Sequence, residues 1–239
     1  MDNTLIIVPT YNEIESLESL VGRIRQSVPL ADVLIVDDMS PDGTGERADA
    51  FAAADPAIHV LHRKAKGGLG RAYLAGFEYA LANNYEIVCQ IDADGSHDPA
   101  ALPAMITLAT DGAALVIGSR WVPDGSVKNW PWIRRTISRS GNSFARASLR
   151  SQIRDITAGF RVFRAETLRG IDLASITSQG YCFQIETAWR TERSGLTVVE
   201  YAITFIERAT GRSKMHLGIV FEAFWRVTYW GLTRSRAPQ

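Results

Sequence analysis

Asp92 and Asp94 stand two residues apart in "IVCQIDADGSHDP" (87–99), where an apolar run ends in carboxylates, a glycine and a histidine. Two carboxylates at a strand tip are hard oxygen ligands suited to Mg²⁺ or Mn²⁺, ions that leave positions open for substrate phosphates. The pattern alone has other uses. Most such pairs close turns or start helices, and Asp98–Pro99 has the form of a helix cap. His97, taken singly, reads as a loop histidine.

The elements that must carry these residues follow from periodicity. Apolar runs at 4–11, 31–38, 58–63, 87–91 and 113–120 read as strands, the first two buried on both faces. Helical spacing covers 13–27, 43–54, 67–82 and about 99–110. Strands that alternate with helices predict an α/β domain with a largely parallel sheet, in which ligands sit beyond the carboxyl ends of the strands. Pro9–Glu13, Asp37–Asp38, Asp92–Asp94 and Ser119–Arg120 all fall at such ends. Beyond Arg120, residues 122–135 read as a loop, followed by an arginine-rich helix to about 150. Residues 160–163, 182–187 and 196–206 add a strand or two and a helix.

The 239 residues carry a formal net charge of 0 and 46% hydrophobic residues, as an ordinary globular protein does. The neutrality hides an asymmetry. Residues 1–60 hold eleven acids against three arginines, whereas residues 120–164 hold ten bases against Asp124 and Asp155 alone. A basic middle segment suits a face built for an anion, or else a solvated arginine-rich surface. Cys89 and Cys182 are too few for a disulfide framework and read as reduced, buried thiols. The start "MDNTLIIVPT" does not have the form of a signal peptide. In 216–236, Glu222 and Arg226 interrupt a run too polar to span a bilayer. Trp225, Tyr229 and Trp230, followed by Arg234 and Arg236, suit either an interfacial helix or one packed on its own domain.

The ordered segments "VPTYNE" (8–13), "VDDMSPDGT" (36–44), "GLGRAYLAGFEYA" (68–80), "DADGSHDP" (92–99) and "GSR" (118–120) resemble glycosyltransferase family 2, the inverting GT-A nucleotide-sugar transferases. Downstream, "NWPWIRRTIS" (129–138), "DITAGFRVFR" (155–164), "GYCFQIE" (180–186) and "ERATGRSK" (207–214) are similar to the dolichol-phosphate (polyprenol-phosphate) mannose synthases within it. The resemblance runs from about residue 4 to 215. It implies a catalytic domain over 1–215, with a mostly parallel sheet flanked by helices, and a C-terminal amphipathic helix over 216–239.

By the same resemblance, the nucleoside is held by Pro9, Tyr11, Glu13, Val36 and Asp38. Asp37, by its place at a strand end before a helix, reads instead as a helix cap. The donor also meets Asp92, Ala93 and Asp94, with Asp94 and Ser96 as the metal ligands, Ser96 standing where some relatives carry Gln. Arg120, Arg134 and Ser138 receive the acceptor phosphate; Arg208 and Lys214 close over the diphosphate. The implied partners are GDP-mannose, polyprenyl phosphate, Mg²⁺ or Mn²⁺ and the cytoplasmic face of a membrane, reached peripherally or through an anchoring subunit, with no nucleic acid. A polyprenyl-phosphate glucosyltransferase using UDP-glucose and a non-catalytic regulatory subunit are the competing readings. "GGLGRA" (67–72) does not support a dehydrogenase, since no acid sits suitably on the next strand.

Overall fold

The computed structural model describes residues 3–178, 180–207 and 217–233, with side chains from 224 onward in the last stretch. Its first half alternates as the periodicity requires: β1 (Thr4–Thr10), α1 (Ile14–Ser27), β2 (Asp32–Asp37), α2 (Thr44–Ala54), β3 (Ile58–His62), α3 (Leu69–Ala82), β4 (Ile87–Gln90), α4 (Leu102–Thr110) and β5 (Leu115–Ser119). A 3₁₀ turn at Pro99–Ala101 leads into α4, and the Asp98 carboxylate accepts from the Ala100 N–H at 3.1 Å. The cap legible in Asp98–Pro99 therefore forms.

The second half follows as β6 (Ser126–Lys128), α5 (Trp132–Leu149), β7 (Arg161–Arg164), α6 (Ala165–Gly170), α7 (Gly180–Arg193), β8 (Val198–Ala202), β9 (Thr204–Ile206) and α8 (Leu217–Thr233). Two expectations need correction here. The segment 122–135 is not wholly loop: β6 lies within it and α5 begins at Trp132. Among the described residues, the region after residue 160 holds three strands, not one or two. Both β6 and β9 are three residues long and, among the described residues, pair only with each other, in register Val127 to Phe205. So short a pair has no alternating pattern of its own to read.

The main sheet runs β3-β2-β1-β4-β7-β5-β8. All neighbours are parallel except β7, which is antiparallel to both β4 and β5. Helices cover both faces, which explains why β1 is buried along its whole length. One core layer gathers Leu17, Leu20 and Ile24 of α1 with Leu102 and Met105 of α4. The other gathers Tyr73 and Phe77 of α3, Leu149 of α5, Phe183 of α7 and Val227 of α8. Gly76 lets α3 lie close on the sheet, since a Cβ there would stand 2.7 Å from Ile7 Cγ2. This close approach brings Tyr73 beneath the end of β4.

Helix α8 packs on α5 and α7, with Phe224 stacked on Phe144 at 4.7 Å and Trp230 on Trp189 at 5.9 Å. Its other face presents Trp225, Tyr229 and Leu232 to solvent. One stripe of the helix is docked on its own domain, as the packed reading has it, and the other is open. Among the described residues, no helix is long and apolar enough to cross a membrane.

Candidate active site

The ends of β1, β2, β4 and β5 open on one side of the sheet, and the residues singled out by sequence line that edge. Pro9 of β1 lies in register with Val36 of β2. Beyond β1, Tyr11 carries the Lys66 ammonium 3.6 Å over its ring, and the Glu13 N–H donates to Thr44 Oγ1 at 3.1 Å. Asp37 does not cap a helix. It accepts from Thr10 Oγ1 at 3.1 Å and from Ser40 Oγ at 2.6 Å, tying the strand end to its turn, while Asp42 accepts from the N–H and hydroxyl of Thr44, where α2 begins. Asp38 accepts from the N–H groups of Gly67 and Gly68 at 2.9 and 3.0 Å and pairs with Arg63. Its carboxylate thereby pins the glycine loop at the start of α3.

At the end of β4 the two aspartates differ. Asp92 accepts from Tyr73 Oη at 2.8 Å. Burial raises its pKa; the nearby Asp94 charge adds to that, while His97 and the Tyr73 hydrogen bond oppose it. The same burial, with the Asp92 charge adding, pushes the Tyr73 phenol up. Asp94, half-exposed at the tip, accepts from the Ser96 N–H at 3.0 Å. Gly95, with φ +72°, makes the turn that allows this. Ala93 between them is buried. Ser96 is also buried, and its carbonyl accepts from the Ile206 N–H at 3.1 Å. Its described contacts are those of the backbone, so it fixes the orientation of Asp94. His97 is not a surface loop residue: it lies buried, 5.2 Å from both the Phe160 and Phe205 rings. Burial lowers its pKa, against the pull of Asp92 and Asp94.

The residues fit a divalent ion in part. Hard oxygen donors stand at an open strand end, and among the described residues no group of three His, Cys, Asp or Glu could enclose an ion by itself. Such a site depends on substrate oxygens to complete the coordination, as Mg²⁺-type sites commonly do.

Arg120, just past β5, is buried and bound on one edge. Its Nε and Nη2 donate to Asp155 at 2.7 and 2.6 Å, and Nη2 also reaches Thr157 Oγ1 at 3.1 Å. Burial works against its charge, but Asp155 more than offsets that and holds its pKa above the usual value. Arg134, in the first turn of α5, pairs with Glu207 beyond β9. Trp130 joins the two arginines: Arg120 Cζ lies 5.5 Å and Arg134 Cζ 4.3 Å from its ring. Ser138 follows Arg134 by one turn, and its carbonyl accepts from Asn142 Nδ2 at 3.0 Å. The structure thus brings Arg120 and Arg134 together on one aromatic wall. Arg208 and Lys214 lie outside the described residues.

Sequence reasoning had no role for Asp155, Trp130, Glu207 or Tyr73. Each sits within or beside a quoted motif, yet its function appears only when distant segments meet. The one signal was Asp155, one of only two acids among ten bases in 120–164, a charge that a basic segment would hardly keep without a partner.

Comparison with known proteins agrees with this architecture. Residues 5–171 match the family described as Glycosyl transferase family 2. The chain is 54% identical over 228 residues to the undecaprenyl-phosphate mannosyltransferase of Micrococcus luteus, covering 95% of this chain and 93% of that protein. It is 50% identical to the polyprenol monophosphomannose synthase of Mycolicibacterium smegmatis, covering 96% and 87%. A solved structure of glucosyl-3-phosphoglycerate synthase from Mycobacterium tuberculosis, with Mn²⁺, uridine-diphosphate and phosphoglyceric acid, aligns at a TM-score of 0.68 and 21% identity, covering 100% of this chain and 80% of that one. That likeness is one of fold. The chain belongs to glycosyltransferase family 2.

Proposed function

We propose that this chain transfers mannose from GDP-mannose to a polyprenyl phosphate with inversion, giving polyprenyl-phosphate β-mannose and GDP. The observation that carries the reading is the pairing of two differently built charge sites at one sheet edge. Carboxylates end β4, and two guanidiniums share the Trp130 ring beyond β5. The names of the two relatives at 54% and 50% identity support mannose and polyprenyl phosphate as the transferred group and the acceptor.

An alcohol acceptor would need a base to remove its proton. A phosphate acceptor is already ionised at neutral pH, so the difficulty is instead to bring two anions together. Arg120 and Arg134 lower that cost by meeting the acceptor phosphate with charge-assisted hydrogen bonds, with Ser138 as a further donor. Asp155 keeps one edge of Arg120 occupied, which orients the rest of the guanidinium. A phosphate oxygen forms its bond to the anomeric carbon as the bond from that carbon to the diphosphate breaks, and the electron pair leaves with GDP. A Mg²⁺ or Mn²⁺ ion held at Asp94 would supply charge neutralisation for the leaving diphosphate. Pro9, Tyr11, Glu13, Val36 and Asp38 line the donor side with Asp92 and Ala93, and Arg208 and Lys214 would serve the diphosphate.

The open stripe of α8 supports peripheral attachment to the cytoplasmic face of a membrane, directly or through an anchoring subunit. In the proposed division, 1–215 is the catalytic part and 216–239 the attachment.

Labelled GDP-mannose, offered with Mn²⁺ and a short polyprenyl phosphate, should yield label that extracts into organic solvent. Excess unlabelled UDP-glucose should not compete; if it does, the donor is the glucose nucleotide. Asp94→Ala should lose about 100-fold or more of turnover with its melting temperature kept. Undiminished turnover would remove Asp94 from the mechanism.

A further inference from the structure

A second basic cavity lies beside the acceptor arginines and takes no part in the reaction described above. It encloses about 400 Å³ and is lined by Trp121, Arg139, Asn142, Ser143, Arg146 and Arg154. Four of these come from one face of α5, at positions i, i+3, i+4 and i+7. Arg154 closes the cavity from the segment that follows the helix.

The cavity is lined by three arginines and by no carboxylate. Eight arginines elsewhere pair with carboxylates: Arg23, Arg25, Arg47, Arg63, Arg120, Arg134, Arg164 and Arg190. Among the described residues, Arg139, Arg146 and Arg154 do not, and no acid lines the cavity. The Glu200 carboxylate accepts from the backbone N–H groups of Arg154 and Asp155 at 2.8 and 2.9 Å. Two buried donors also lack acceptors among the described residues, Trp121 Nε1 and Arg146 Nε. A buried donor without a partner costs free energy unless something fills the place. The Arg139 guanidinium lies 4.8 Å from the Trp121 ring, which helps to hold it at the cavity wall.

We infer that this cavity binds a phosphate-bearing anion, separately from the acceptor phosphate at Arg120 and Arg134. Guanidinium forks and an indole N–H are all donors, and a tetrahedral oxyanion supplies only acceptors. The site is distinct in that Arg120, Arg134 and Ser138 are not among its lining residues, although its Trp121 ring also lies 5.8 Å from the Arg120 Cζ. Two sources carry this chemistry, an anionic phospholipid headgroup and free phosphate. Trp132, seven residues before Arg139 and so on the cavity's face of α5, is exposed, and a lipid surface brought to that face would present its headgroups to this cavity. The inference does not depend on the identity of the sugar donor.

The test uses the full chain with three probes: phosphatidylcholine vesicles, the same vesicles with phosphatidylglycerol added, and inorganic phosphate. The double variant Arg139→Gln, Arg146→Gln is compared with a charge-matched control, Arg169→Gln, Arg193→Gln. Wild type should prefer the anionic vesicles, and the double variant should lose about tenfold in that preference for each guanidinium removed. Saturable binding of inorganic phosphate, lost in the same variant without any vesicle preference, would assign the site to soluble phosphate instead. Turnover on a short polyprenyl phosphate in detergent should stay at the wild-type level, which separates this site from the catalytic reading. If the double variant melts early, Arg154→Gln, an exposed side chain on another segment, should give a loss of about tenfold. The inference fails if wild type shows neither preference, if the variants bind as wild type does, or if the control loses as much.

Discussion

Asp92 and Asp94 are chemically identical and two residues apart, yet their surroundings divide the work between them. Asp92 sits over the Tyr73 hydroxyl, and burial holds its pKa above the ordinary carboxyl value. Between that value and the raised one, the folded chain binds more protons than the unfolded chain. Stability from this group is therefore present in acid and lost as the pH rises through the window. Asp92→Asn removes the ionisation, so in metal-free buffer it should melt above wild type at neutral pH and show no gain in acid. A variant that melts lower at neutral pH would mean that the ionised carboxylate is stabilised where it lies. The D-x-D, Arg120 and Arg134 were legible because each belongs to a compact local motif. Asp155 and Glu207 were not: they reach their arginines across 35 and 73 residues of sequence, and no local pattern encodes such a meeting.

At the scale of elements, β9 and α5 are joined through one ion pair, Glu207 with Arg134. The carboxylate occupies a guanidinium that a phosphate acceptor would need. Glu207→Gln should lower the KM for polyprenyl phosphate several-fold, as charge-assisted bonds exceed neutral ones by about twofold in strength, and leave the donor KM alone. Steady-state kinetics with each substrate varied in turn would detect it. An acceptor KM that rises would show that Glu207 helps to hold Arg134 in its productive place. The open stripe of α8 makes a second prediction. Replacing Trp225, Tyr229 and Leu232 with Ser should cut vesicle co-sedimentation at least tenfold, since each large apolar side chain contributes about 1.5–3 kcal/mol when buried, while leaving the melting temperature close to wild type. Undiminished sedimentation would move the attachment to another surface. The periodicity of the long helices and parallel strands was legible from residue 4 to 120, where each element presents several turns or pleats. It was not legible in β6 and β9, whose three residues are fixed by one another and by the loops they close.

At the scale of the whole molecule, two core layers lie on opposite faces of one sheet, and each contains a thiol-bearing element. Cys89 is buried in β4 among the side chains that face α1 and α4, and Cys182 is buried in α7. Burial pushes the Cys89 thiol far above its ordinary pKa. Neither should react with a thiol reagent in native buffer except through global opening, so both should label at one slow, common rate. Fast labelling of Cys182 alone would reveal that α7 opens by itself. The sheet order was not open to the same reading as its elements. Nothing in "RVFR" announces that β7 inserts antiparallel between β4 and β5, because the strand's partners are chosen by the chain's path and not by its own side chains.

The stacked indoles of Trp189 and Trp230, 5.9 Å apart and tilted by only 16°, place two strong chromophores in near-parallel contact across the junction of α7 and α8. Their transitions couple at that separation, giving the free protein an ultraviolet optical activity that neither ring would have alone. The enzyme therefore carries its own dichroic gauge of whether the last helix remains seated when a bilayer arrives.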